Sequence, residues 1–100
     1  AGFDGHVEDE IAGMALTEAD YAWVSQQIKA VADRHAGGRI VSTLEGGYNL
    51  DALASSIKAT LDVLLDADSI DDPLGPPAAA RGAPDIDNLL QAVKKTHQLD

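Results

Sequence analysis

Two short glycine-containing stretches carry the side chains best suited to chemistry in this sequence. The first, AGFDGH at residues 1–6, contains Asp4, and the second, LEGGYNL at residues 44–50, contains Tyr48. A carboxylate can bind a metal ion, and a phenol can donate a hydrogen bond to a developing oxyanion. An aspartate in a loop is more often only a turn residue, and Gly-Gly before a helix more often only forms a turn. Each stretch alone is therefore a weak indication of a site.

The residues between the two stretches predict a helix and a strand. The helix runs from Thr17 to His35, because Thr17 is a good N-cap and glycines follow the last turn. Apolar residues at steps of three or four predict one buried stripe, made of Tyr21, Val24, Ile28 and Val31. The segment RIVSTLE, residues 39–45, is short, rich in β-branched residues and flanked by Gly-Gly pairs, so it predicts a strand buried on both faces.

Two further helices and a linker follow. Residues 50–67 predict an amphipathic helix with Asn49 as N-cap and an apolar face of Leu50, Leu53, Ala54, Ile57, Leu61, Leu64 and Leu65. Residues 68–84 hold all 4 prolines and predict an extended linker. Asp85 is the predicted N-cap of a last helix, whose apolar stripe is Ile86, Leu89, Leu90 and Val93.

This order of elements predicts an α/β fold, in which helices flank a parallel sheet that has one or two strands in this segment. Function gathers at the carboxyl ends of the strands in such sheets, so Asp4 and Tyr48 could converge on one pocket. Residues 1–67 are predicted to form part of an α/β domain, residues 68–84 a linker, and residues 85–100 a helix of the same domain.

Composition and charge narrow the range of partners. Apolar residues make up 45% and charged residues 24%, as in soluble globular proteins. The net charge of −10 would repel phosphate backbones and anionic headgroups, which argues against nucleic acid and membranes as partners. Without cysteine, a metal ion would need His, Asp or Glu ligands. Residues 1–16 do not have the pattern of a signal peptide, so we expect a cytoplasmic location.

AGFDGH, then LTEADYAW, then GGRIVSTLEGGYNLDALA resemble, in order and spacing, the C-terminal third of the zinc-dependent histone deacetylase and acetylpolyamine amidohydrolase superfamily. Bacterial members of the class II type look most similar. The resemblance covers residues 1 to about 65 and continues more faintly into LLQAVKKTH. It implies the arginase/deacetylase fold with a three-layer parallel-sheet arrangement, a Zn²⁺ cofactor, and hydrolysis of acetylated amines such as acetyl-lysine or acetylpolyamine.

The resemblance also implies roles for single residues. Asp4 matches the carboxylate zinc ligand of the family, and Tyr48 matches the tyrosine that donates a hydrogen bond to the carbonyl oxygen of the scissile amide. Gly46 and Gly47 would let the backbone turn tightly and bring Tyr48 close to the substrate. A hard carboxylate oxygen suits zinc, and a catalytic zinc ion needs three protein ligands and one open position.

Some residues near Asp4 differ from the family pattern, and one has the spacing of a metal ligand without matching a ligand position. In DEIAG, residues 9–13, Glu10 stands where many relatives have proline. Ile11 matches a leucine that lines the substrate tunnel, and Gly13 keeps the turn. His6 has the Asp-x-His spacing of a metal-binding pair with Asp4, but the matching family position is not a ligand.

The resemblance implies that two zinc ligands and the paired catalytic histidines lie elsewhere. The family has the last residues of a strand where this sequence has Ala1, so AGFDGH looks like the interior of an active site. We expect the isolated chain to hold no zinc, to be inactive and to self-associate, with the rest of a catalytic domain as its natural partner. The alternatives are a non-catalytic acidic α/β interaction module, in which Asp4 and Tyr48 are turn residues, and a metal-free pseudoenzyme fragment.

Overall fold

A computed structural model of the chain describes residues 1–76 and 85–99, and three helices make up its regular structure. They are α1 (Glu18–His35), α2 (Leu50–Leu64) and α3 (Asp87–His97). Residues 68–76 of the predicted linker contain neither helix nor strand, and residues 77–84 of that linker lie outside the described part. Within the described residues, no helix is long and apolar enough to cross a membrane.

Local capping explains where α1 and α2 begin. Thr17 is the N-cap of α1, and its hydroxyl accepts from the N–H of Asp20 while the Asp20 carboxylate accepts from the N–H of Thr17 at 2.8 Å. Asn49 is the N-cap of α2, and its Oδ1 accepts from the N–H of Ala52 at 3.0 Å. Both predicted N-caps are therefore confirmed. Helix α2 ends at Leu64 rather than residue 67, and Asp66 beyond it has a left-handed φ of 56°.

Helices α1 and α2 pack against each other through small side chains. Ala22 of α1 and Ala59 and Val63 of α2 form the core cluster, and each is less than 7% exposed. Further buried residues of the two helices are also small: Ser25, Ala32, Ala52 and Ser56. Small side chains let the helix backbones approach closely, so burial follows the small residues rather than the large apolar ones.

The predicted buried stripe of α1 is therefore mostly exposed within this chain. Val24, Ile28 and Val31 of α1 are between 45% and 60% exposed. The predicted apolar face of α2 is divided: Leu50, Leu61 and Leu65 are exposed, whereas Leu53, Ile57 and Leu64 are half-buried. Part of the α1 stripe lines an open groove of about 550 Å³ together with Ile40 and Val41 of the following segment. Periodicity detected these apolar side chains, but it did not show which neighbour covers them.

The predicted strand at residues 39–45 is not a strand here, and the part of the chain that the structure describes contains none. Three backbone hydrogen bonds join this segment to the first residues: Ala1 donates to the Thr43 carbonyl at 2.7 Å and accepts from the Glu45 N–H at 2.9 Å, and Phe3 donates to the Gly46 carbonyl at 2.8 Å. Ala1 thus donates a hydrogen bond to residue 43 and accepts one from residue 45, which is the hydrogen-bonding pattern of two parallel strands.

So short a pairing explains why residues 39–45 form no regular strand in this chain. A strand becomes regular when neighbours satisfy its N–H and C=O groups along its length, and here only a few residues do so. Val41 is 94% exposed, which contradicts the expected burial on both faces. The described residues therefore form a packed pair of helices, a separate third helix and an extended segment, and the α/β sheet remains a prediction.

Helix α3 has no helix neighbour among the described residues. Its N-cap is Ile86, without a side-chain cap, so the prediction of Asp85 as N-cap is wrong. Asp85 Oδ1 instead accepts from the N–H of Asp87 at 3.0 Å, which satisfies one donor of the first turn. All residues of its predicted apolar stripe are exposed: Ile86, Leu89, Leu90 and Val93.

Candidate functional site

Asp4 lies against the backbone of Gly46. A Cβ atom added to Gly46 would lie 2.7 Å from Asp4 Oδ1 and 2.9 Å from Asp4 Cγ, closer than side chains tolerate. The hydrogen bond from Phe3 to the Gly46 carbonyl keeps the two segments side by side. The structure thus brings the first candidate residue onto the loop that carries the second, at a position where a side chain on residue 46 would force the Asp4 carboxylate to move.

The Asp4 carboxylate is half-buried and accepts no hydrogen bond from any described residue. A carboxylate in that state keeps its oxygens available to a cation or another donor. The described residues contain no group of three His, Cys, Asp or Glu side chains that could hold a metal ion. Asp4 therefore fits a zinc site as one ligand, and these residues alone do not form the site.

Tyr48 projects from the loop between the extended segment and α2, and its side chain is 63% exposed. Gly47 before it has φ of +135°, and a Cβ there would lie 2.7 Å from Leu53 Cδ1 and 3.3 Å from Phe3 Cβ. Both the dihedral angle and the lack of space require glycine. The loop can therefore pass close to α2 and present the phenol at the surface.

Ile11 and Tyr48 share a surface cavity of about 270 Å³, which is also lined by Glu8, Asp9, Glu10 and Asn49. Ile11 is 68% exposed, so its side chain is free to contact a ligand beside the phenol. Gly13 has φ of +64° with nothing within 4 Å of an added Cβ. Glycine is therefore favoured at residue 13 by the left-handed backbone conformation of the turn, and not by the close approach of a neighbouring atom.

Asp9 was not singled out in the sequence, yet it connects the two loops. Its Oδ2 accepts from the N–H groups of Tyr48, at 2.7 Å, and Asn49, at 3.1 Å, and its Oδ1 accepts from the N–H of Ile11 at 3.0 Å. Asp9 is only 4% exposed. The hydrogen bonds, with that from Tyr48 the largest cause, hold the pKa of Asp9 below its ordinary value despite burial.

His6 does not face the surface with Asp4 but lies fully buried beside Glu18 at the start of α1. Its Nδ1 accepts from the N–H of Glu8 at 3.1 Å, and its Nε2 lies 3.3 Å from Glu18 Oε2. An Nδ1 that accepts leaves the proton on Nε2, which lies near the carboxylate but forms no hydrogen bond with any described residue. The Asp-x-His spacing therefore serves a buried structural pair in this fold.

Glu18 also lies beside Asp72, and each of the two carboxyl groups shifts the pKa of the other. Burial alone would raise the pKa of Glu18, but hydrogen bonds, first that with Asp72, lower it overall. The same hydrogen bond is the largest cause of the raised pKa of Asp72. This cluster joins residues 68–76 to the start of α1.

Tyr21 supports the chain directly after Asp4. Its hydroxyl would lie 3.1 Å from a Cβ on Gly5, and its ring packs on Phe3 with centroids 5.0 Å apart. Burial is the main cause of its raised pKa. Tyr21 belonged to the predicted α1 stripe, and spacing alone did not indicate that it contacts the loop of Asp4.

Comparisons of the sequence with known proteins indicate its family. Residues 1–64 match the histone deacetylase domain. The chain is 38% identical to histone deacetylase 14, chloroplastic, of Arabidopsis thaliana over 99% of its length, which is 24% of that protein. It is 45% identical to type-2 histone deacetylase 1 of Dictyostelium discoideum over 67% of the chain and 4% of that protein. It is also 43% identical to a probable deacetylase of Archaeoglobus fulgidus over 51% of the chain and 14% of that protein.

The chain thus spans about a quarter or less of the length of these relatives. The domain match includes both candidate residues and the loop contact between Asp4 and Gly46. Since the match covers residues 1–64 and the plant relative aligns along nearly the whole chain, the chain belongs to the histone deacetylase family.

Proposed function

We propose that this chain is the C-terminal part of the catalytic domain of a zinc-dependent deacetylase that hydrolyses acetylated amines. The contact between Asp4 and Gly46 carries the proposal, because it joins a carboxylate that accepts no hydrogen bond from the described residues to the loop that presents Tyr48. Family membership implies the arginase/deacetylase fold. We propose further that residues 39–45 become a strand of its parallel sheet when the rest of the domain supplies neighbours.

Asp4 would hold the zinc ion as one of three protein ligands, with the other two supplied from outside this chain. Its carboxylate is half-buried, and a hard oxygen ligand suits zinc. A bound zinc ion supplies Lewis-acid catalysis at the amide. Gly46 leaves the space in which the Asp4 carboxylate takes its position beside the loop.

Tyr48 would donate a hydrogen bond from its hydroxyl to the carbonyl oxygen of the scissile amide. A neutral phenol donor stabilises negative charge that develops on this oxygen without changing its own charge. Ile11 lies beside it in the same cavity and would contact the acyl chain or the methylene groups of the amine. Acetyl-lysine and acetylpolyamine both present such an amide at the end of an apolar chain, and either would fit this description.

The test uses the complete protein that contains this chain. Purified enzyme is assayed against an acetyl-lysine peptide and an acetylpolyamine, and its zinc content is measured. We expect hydrolysis of at least one substrate, and we expect Asp4→Asn to lose both zinc and activity. Asp68→Asn is the matched control, since Asp68 is exposed and outside the cavity of Tyr48.

Three outcomes contradict the proposal in different ways. A zinc-loaded protein without activity on any acetylated amine would indicate a pseudoenzyme or another reaction. Full zinc content in Asp4→Asn would remove Asp4 from the ligand set. Turnover by the isolated 100-residue chain above that of its Tyr48→Phe variant would show that no further catalytic groups are needed, against our expectation that this chain alone is inactive.

A further inference from the structure

We propose that Asp9 is the positioning residue for Tyr48. Its buried carboxylate holds the loop that presents the phenol, so Asp9 sets where the hydroxyl lies during the reaction. This inference rests on the proposed function, in which the Tyr48 hydroxyl contacts the substrate. Asp9 itself touches the backbone of the loop and not the reacting atoms.

The contacts of Asp9 are concentrated on the residues that carry the phenol. One oxygen, Oδ2, accepts from the N–H groups of both Tyr48 and Asn49, at 2.7 and 3.1 Å. The other oxygen accepts from Ile11 at 3.0 Å, which fixes the orientation of the carboxylate. Hydrogen bonds to an ionised acceptor are shorter and about twice as strong as neutral ones. The loop is therefore held at the Tyr48 residue itself.

A second contact reinforces the same connection. Asn49 Nδ2 donates to the Glu8 carbonyl at 2.9 Å, while Asn49 Oδ1 caps α2. Residues 8 and 9 thus hold residues 48 and 49 through three hydrogen bonds. These bonds connect the end of the Asp4 loop to the start of α2, about 40 residues away in sequence.

The exposure of the Tyr48 side chain makes this backbone contact decisive. The side chain is 63% exposed, so few packing contacts define its position. Asp9, in contrast, is 4% exposed and lies between the two loops. The location of the hydroxyl is therefore determined chiefly by the backbone of Tyr48, and a shift of the order of 1 Å in a reacting group can cost about 100-fold in rate.

Asp9→Asn in the complete enzyme tests the inference. The amide nitrogen of asparagine donates rather than accepts hydrogen bonds. Asparagine therefore keeps the size of the side chain but loses the hydrogen bonds that one of the two carboxylate oxygens accepts. We expect kcat to fall about 10- to 100-fold with little change in KM. Asp51→Asn is the matched control, because it removes the same charge from the exposed first turn of α2 and does not contact the loop.

A double-mutant cycle separates positioning from general stabilisation. In a Tyr48→Phe background, Asp9→Asn should cost little further activity, since there is no hydroxyl left to position. If the two losses multiply instead, Asp9 acts independently of Tyr48 and the inference is wrong. Asn49→Ser gives a milder version, because serine still caps α2 but cannot donate to Glu8. Asn49→Ser should lower kcat in the same way as Asp9→Asn, but by less. It replaces Asp9→Asn as the test variant if Asp9→Asn does not fold.

Hydrogen–deuterium exchange keeps the inference separate from the proposed function. Exchange in a peptide covering residues 45–50 should rise in Asp9→Asn and stay unchanged in Asp51→Asn. If the wild-type enzyme hydrolyses no acetylated amine but this rise is seen, the proposed function fails and the anchoring of the loop is supported. If exchange does not rise, the inference is overturned whatever the activity.

Discussion

Gly46 and Asp4 occupy adjoining positions, and a Cβ on Gly46 would lie 2.7 Å from Asp4 Oδ1. Gly46 is not among the residues with positive φ, so its backbone conformation is open to other residues. What excludes them is the carboxylate alone. The candidate metal ligand and the loop of the candidate hydrogen-bond donor therefore form one structural unit, and this unit can be disturbed by single methyl groups.

Gly46→Ala should displace the Asp4 carboxylate. The added methyl group collides with Oδ1 and Cγ, so we expect zinc content to fall and activity to drop about 100-fold in the complete enzyme. Metal analysis and steady-state kinetics check this. Gly13→Ala is the control, since it strains the backbone at φ +64° but meets no neighbour. Unchanged zinc content in Gly46→Ala would show that the carboxylate does not need its present position.

Tyr48→Phe should remove activity without loss of stability. Loss of one donor to a developing oxyanion costs about 10²- to 10³-fold in kcat. The side chain is 63% exposed, so the free energy of unfolding should change by no more than about 0.5 kcal/mol. Tyr21→Phe provides the contrast, because Tyr21 is partly buried and supports the chain after Asp4. We expect Tyr21→Phe to have a lower melting temperature than the wild type. If Tyr48→Phe and Tyr21→Phe had comparable kinetics, this would count against the role assigned to Tyr48.

Ala59→Leu should destabilise the protein through the contact between α1 and α2. Ala59 is 1% exposed and contacts Ala22 in the core cluster, so a larger side chain must separate the helices. We expect a loss of about 1–3 kcal/mol in the free energy of unfolding, measured in urea. Ala54→Leu, on an exposed position of the same helix, should change it by less than about 0.5 kcal/mol. Equal effects would mean that the helices do not pack as described.

Stability should depend on pH through Asp9. Its pKa in the folded protein lies below the ordinary value of 3.8, so its ionised form stabilises the fold above that pH. This stabilisation disappears as the pH falls through the lower folded-state pKa. The difference in melting temperature between wild type and Asp9→Asn should therefore be largest near neutral pH and shrink under acidic conditions. A difference that is constant with pH would show that Asp9 does not act through its charge.

The isolated chain should self-associate, because large apolar side chains of α1 and residues 40–44 are exposed in and beside the open groove. The net charge of −10 opposes association, so added salt should strengthen it. Sedimentation velocity measures this, with Ile28→Ser expected to weaken association more than the exposed Gln27→Ser. A monomer at all salt concentrations would contradict the prediction.

Some features of this protein follow from local sequence. The capping residues Thr17 and Asn49 determined where α1 and α2 begin, because a cap acts on N–H groups only a few residues away. The match of AGFDGH and LEGGYNL to a family pattern predicted the deacetylase family, which the domain match confirms, and indicated Asp4 and Tyr48 as candidate site residues. These signals are short in range or specific in composition, so one sequence is enough to detect them.

Tertiary structure decided the rest. Periodicity located apolar faces on α1 and α2, but the covered residues are the small ones, Ala22 and Ala59, because burial depends on which element lies opposite. The strand at residues 39–45 did not form, since a strand needs partners that only other segments can provide. Asp9 gave no local signal either, because its partners Tyr48 and Asn49 meet it only after the chain has folded.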